Sequence, residues 1–99
     1  MHGEYKIPGG KLVVVDLAVR DGRLADVRVS GDFFLEPDGA LDTIDAALSG
    51  LPEHSDVQAL ATAVKSALGP EVMMYGISPD GIAIAVRRAL LQGKEGSEP

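Results

Sequence analysis

Apolar side chains recur at every second position over the first third of the chain. Beyond it they recur every third or fourth. From Leu12 to Arg20 the odd positions Val13, Val15, Leu17 and Val19 are apolar, with Asp16 and Arg20 among the others. That is the period of a half-buried strand. From Ala25 to Ser30 the apolar Ala25, Val27 and Val29 alternate with Asp26, Arg28 and Ser30, and Asp21-Gly22 between the runs is a hairpin signal. A two-residue loop would set Leu17 opposite Asp26 and Val15 opposite Arg28. A three-residue loop, Arg20-Asp21-Gly22, pairs Leu17 with Ala25, Val15 with Val27 and Val13 with Val29. A slip of one residue sends a whole side-chain set to the wrong face, so the pattern predicts the longer loop, a type I turn with a bulge. Upstream, Gly3 to Ile7 reads as a short strand, and Pro8-Gly9-Gly10 turns the chain into the long one. Three antiparallel strands with one covered face follow.

Helical spacing takes over after residue 37. Pro37 suits a first helical position. Leu41, Ile44, Leu48 and Leu51 share a stripe flanked by Ala40 and Ala47, which Gly50 and Pro52 end. Ser55-x-x-Gln58 reads as a capping box for a second helix. Its stripe is Val57, Leu60, Ala61, Val64 and Leu68, closed by Gly69-Pro70. Ser78-Pro79 opens a third helix carrying Ile82, Ala85, Val86, Ala89 and Leu90, with Arg87 and Arg88 expected in its last turn and Gly93 at its end. Residues 1–93 thus read as one domain and 94–99 as a flexible polar tail. Glu71 to Ile77 is apolar and β-prone, fitting a short strand or a buried connector.

With 45% apolar and 24% charged residues the chain is a globular one, but aromatics are only 4%, so its core is built from Val, Leu, Ile and Ala. Cysteine is absent, which removes disulfides, thiolate metal sites and cysteine nucleophiles. No apolar run approaches the roughly 20 residues that span a bilayer, and Met1-His2-Gly3-Glu4 does not begin a secretory signal. The expectation is a cytoplasmic protein without membrane contact. The net charge of −6 is unevenly spread: residues 1–31 sum to +1, 32–58 hold seven acids and no base, and 59–99 balance. Nucleic acid needs a basic footprint, and none is present.

The chemical inventory is thin. His2 and His54 share no metal-ligand spacing. Gly76-Ile77-Ser78-Pro79-Asp80 approximates a nucleophile elbow, but the closing glycine comes one place late, and Ser78 serves better as a helix cap. Asp38, Asp42 and Asp45 at helical spacing read as a solvated face. Two segments ask for more. In Lys6-Ile7-Pro8-Gly9-Gly10-Lys11 a lysine stands at each end of a tight turn, where ammonium groups and turn amides could hold an anion. It is not a P-loop, because Leu12 replaces the hydroxyl residue and a strand follows. In Ser30-Gly31-Asp32-Phe33-Phe34, alternation puts one ring inward and one outward beside the acidic segment unless the strand breaks; an outward ring is a candidate contact, and a ring covered at the strand-to-helix corner fits equally well. Lys6, Pro8, Gly9, Gly10, Lys11, Asp32, Phe33 and Phe34 are therefore the candidate substrate or partner contacts, and no catalytic or metal-ligating residue is proposed.

The run His2-Gly-Glu-Tyr-Lys-Ile-Pro-Gly-Gly-Lys-Leu12, the Val-rich hairpin, Gly31-Asp-Phe-Phe-Leu-Glu-Pro37 and three helices together resemble a known family. It is the C-terminal accessory domain of lipoate–protein ligases, in its stand-alone small-subunit form. The resemblance implies an α+β fold, a small three-stranded antiparallel sheet with about three helices on one face, similar to sulfur-transfer and iron–sulfur scaffold proteins. It implies a chain that assists a separate catalytic ligase subunit in activating lipoate to lipoyl-adenylate for protein lipoylation. ATP, magnesium and lipoate would lie in the partner's site, with no cofactor on this chain. Partners would be the catalytic subunit, in a heterodimer, and lipoyl-domain acceptor proteins. The residues alone leave open a homodimeric small-anion-binding module or a purely structural interaction domain.

Overall fold

The computed structural model describes residues 1–37 and 39–96, the last five of these by backbone alone. Strands β1 (His2–Lys6), β2 (Leu12–Arg20) and β3 (Arg23–Gly31) form an antiparallel sheet in the order β1-β2-β3. Next come β4 (Phe34–Glu36), α1 (Ala40–Leu48), α2 (Val57–Ala67), β5 (Met73–Tyr75) and α3 (Pro79–Gly96). The helices cover one face of the sheet, α3 on β1 and β2 and α1 on β3, with α2 against both helices. The core is aliphatic as composition requires: Val13, Val15 and Leu17 from β2 meet Ile44, Leu60 and Val86 from the helices. The α+β class and the single covered face agree with the sequence pattern.

The hairpin reaches that result by another route. The turn is the two-residue Asp21-Gly22 loop, with both residues left-handed (φ 54° and 75°), a type I′ geometry whose twist suits a hairpin. Arg20 pairs with Arg23, Val19 with Leu24 and Ala18 with Ala25. A bulge follows, Asp26 turns left-handed at φ 52°, and pairing resumes as Asp16 with Arg28, Val15 with Val29 and Val13 with Gly31. The register predicted from a three-residue loop is therefore wrong. The extra residue that restores the apolar match sits in mid-strand rather than at the turn, so Leu24, Val27 and Val29 are the buried set and Ala25 is only half-buried.

Helix boundaries shift for local reasons. Gly39 at φ 94° cannot continue a helix backwards, so α1 begins at Ala40 and not at Pro37. Asp56, not Ser55, caps α2: its carboxylate accepts from Ala59 N at 2.8 Å, while the Ser55 hydroxyl donates to Pro52 O at 2.7 Å. The Ser55–Gln58 capping box does not form. Ser78 caps α3 as expected, its Oγ accepting from Gly81 N at 3.1 Å. α3 runs through Gly93 to Gly96, since an interior glycine costs a helix only about 1 kcal/mol. Residues 97–99 of the expected tail lie outside the described residues, as does Asp38.

Arg87 and Arg88 consequently sit in the middle of α3 and bind across the fold. Arg87 Nη1 donates to Glu53 O (3.0 Å) and Ser55 O (3.3 Å), while Arg88 Nη1 donates to Glu4 O (3.1 Å) and lies 4.8 Å from the centre of the Tyr5 ring. Both edges of the sheet are tied down. Leu24 exchanges backbone hydrogen bonds with the α1–α2 loop, and Val29 N donates to Asp45 Oδ1 at 2.9 Å. Burial raises the Asp45 pKa, opposed by that Val29 bond.

Candidate functional site: a turn and a ribbon meet

The two segments singled out in the sequence come together at β5. Ile7 to Gly10 is a type II turn: Pro8 takes the second position, Gly9 the third at φ 73°, and Gly10 N donates to Ile7 O at 2.8 Å. The next amide, Lys11 N, donates to Gly76 O at 2.8 Å, just past β5. The contact requires glycine on both sides. A Cβ on Gly10 would lie 2.8 Å from Gly76 O, and one on Gly76 would strike the Lys11 stem. β5 in turn pairs with β4, Phe34 opposite Tyr75, Leu35 opposite Met74 and Glu36 opposite Met73. This two-stranded ribbon, separate from the main sheet, is the short-strand alternative for residues 71–77.

Phe33 and Phe34 divide as alternation requires. Phe33 is half-buried and packs against the core, whereas Phe34 is 57% exposed with its ring 6.1 Å from that of Tyr75. Asp32 is exposed at the corner. Met73, Tyr75 and Gly76 complete the site and were not singled out from sequence; the apolar run Val72 to Tyr75 was the only signal for them.

The two lysines are not equivalent. Lys6 Nζ donates to the carbonyls of Ile7 (3.4 Å) and Gly10, so its ammonium closes its own turn. Lys11 is exposed and, among the described residues, has no ion-pair partner. The Gly10 and Lys11 amides are already used, which leaves the turn poorly supplied with free donors for an anion. Lys11 is the cation that remains available to a partner.

The side chains of Ser78 and His2 have structural partners. The Ser78 hydroxyl caps α3. His2 lies between two carboxylates on the uncovered sheet face, Nδ1 2.7 Å from Asp16 Oδ1 and Nε2 2.7 Å from Glu4 Oε2. Only the imidazolium can donate both bonds, and the bonds to Glu4 and then Asp16 raise the His2 pKa. Among the described residues no group of three or more His, Asp or Glu is placed to hold a metal ion. No helix among them is long and apolar enough to cross a membrane.

Comparison with known proteins adds one likeness of fold. No protein-family model matches the chain, and no curated protein matches it. Among solved structures it is similar to a chain from an archaeal lipoylation system, a bipartite lipoate protein ligase and its E2 lipoyl domain from Thermoplasma acidophilum. The TM-score is 0.64 at 24% identity, over 88% of this chain and 98% of that one. The two chains share a fold from end to end of the archaeal one.

Proposed function

We propose that this chain is the accessory subunit of a bipartite lipoate–protein ligase, helping a separate catalytic subunit convert lipoate and ATP to lipoyl-adenylate. The observation that carries the reading is the likeness to a chain from an archaeal bipartite ligase system, which takes in 98% of that chain. The sequence resemblance, which spans roughly residues 2–91 and is most specific at Lys6–Leu12 and Gly31–Phe34, points the same way. ATP, magnesium and lipoate belong in this reading to the catalytic subunit, and a lipoyl domain is the acceptor of the acyl group.

The physical contribution suited to such a chain is closure. Adenylation needs a carboxylate held in line with the α-phosphate and water kept out. A rigid turn carrying one uncommitted cation is suited to that task. The Lys11 backbone is clamped to Gly76 and its ammonium is exposed, so it can add positive charge near a phosphate without disturbing the fold. Co-expression with a ligase subunit that lacks its own accessory domain tests the reading. A stoichiometric complex that survives purification is expected; two chains that elute separately at micromolar concentration would overturn it.

A further inference from the structure

The β4–β5 ribbon carries an apolar face of its own. Pairing of Phe34 with Tyr75 and Glu36 with Met73 places these four side chains on one side, and Leu35 with Met74 on the other. The inner pair is half-buried and packs against the core. The outer face is open: Phe34 is 57% exposed, Met73 50% and Tyr75 48%. Single exposed apolar residues are ordinary, but three large ones side by side on a two-stranded ribbon are a binding feature. Beside them runs a cleft of about 180 Å³ between Phe33, Phe34, Pro37 and Leu41, large enough for one apolar side chain. The rim is acidic. Asp32, at the entry to β4, and Glu36, on the same face as Phe34, are exposed beside the patch.

We infer that the outer face of the ribbon, Phe34, Met73 and Tyr75 with the adjoining cleft, docks an apolar protrusion rimmed by Lys and Arg on the catalytic ligase subunit. The partner's name rests on the accessory role proposed above; its chemistry rests on the patch and its charge. A second copy of this chain is the wrong occupant. A two-fold contact through this face would bring the Glu36 and Asp32 carboxylates of both copies to one interface, and like charges across an interface oppose association. A basic surface meets the same acids with attraction and speeds encounter.

The test titrates the purified ligase subunit with the wild-type chain, Phe34→Ser/Tyr75→Ser and Glu36→Lys, with circular dichroism confirming each fold. The exposed positions make all three soluble and folded by expectation. The double variant should weaken binding about thirtyfold or more, the scale of aromatic anchors at interfaces. Glu36→Lys should slow association and reduce its sensitivity to salt. Wild-type affinity in both variants would overturn the docking face and leave the accessory role standing. No binding by the wild type would overturn the accessory role instead. A wild-type homodimer lost in the double variant would show that the face is self-complementary, and would also overturn the inference.

Discussion

Lys6 and Lys11 flank one turn and occupy different environments. Lys6 holds the carbonyls of Ile7 and Gly10, whereas Lys11 leaves its ammonium in solvent above a stem packed on Gly76. Lys11→Ala should therefore change stability by less than about 0.5 kcal/mol, yet lower adenylation by the assembled ligase. A charge-assisted contact is worth roughly 1.5–3 kcal/mol, or about ten- to a hundredfold in rate if it forms mainly in the transition state. Lys6→Ala should loosen the turn, with a lower melting temperature and a smaller loss of activity. Thermal unfolding and pyrophosphate release on both variants check the pair, and equal effects would mean that the turn acts as a plain connection. His2 offers a pH test. Its folded pKa is raised by Glu4 and Asp16, so the stabilisation is complete below its unfolded value of about 6.5 and disappears as pH rises through the folded value. Wild type should exceed His2→Gln in melting temperature at about pH 6 and match it at about pH 9. A constant difference across that range would assign the effect to packing.

The hairpin shows most directly what the sequence could and could not convey. Alternation along Val13, Val15 and Leu17 identified the buried face of β2, but the residue that reconciles β3 with it is Asp26, a left-handed position without the usual Gly or Asn marker. Ser55 and Asp56 are adjacent capping residues, so type alone could not choose between them. β4 and β5 have three residues each, too short to show a period, and their pairing spans 37 or more residues; the ribbon was accordingly legible only as an apolar stretch beside two phenylalanines. What the pattern did convey, three strands, three helices and one outward ring, follows from runs long enough to repeat. The bulge can be tested by deletion. Removing Asp26 leaves a regular two-residue hairpin with Leu24, Val27 and Val29 still on one face, and the protein should fold. Removing Arg28 forces one of those residues outward, at a cost of roughly 1.5–3 kcal/mol, and should lower the unfolding midpoint sharply. Unfolding of both deletions alike would mean that the bulge itself is required. Gly3 tests the helix-on-sheet contact. Its added Cβ would lie 2.6 Å from Ala85 O in α3, so Gly3→Ala should push α3 off β1 and destabilise far more than a surface change. Urea denaturation reads the difference.

At the scale of the whole molecule, the helices cover one face of the main sheet, and a turn and an aromatic ribbon meet at Gly76. The Ser78 hydroxyl caps a helix, and the His2 imidazole bridges two carboxylates. The acidic side chains are concentrated in the sequence segment 32–58, of which Asp32 and Glu36 lie at the ribbon. In the accessory role proposed above, the chain would act on the conformational equilibrium of its partner, which a subunit can shift only by binding one state better than another. The direct measurement is pyrophosphate release from ATP, lipoate and magnesium by the ligase subunit, by this chain, and by their mixture, with transfer from pre-made lipoyl-adenylate followed in parallel. Adenylation should rise steeply in the mixture and be absent from this chain alone, while transfer changes little. Adenylate formation by the isolated 99-residue chain, or a ligase subunit equally active without it, would contradict the account.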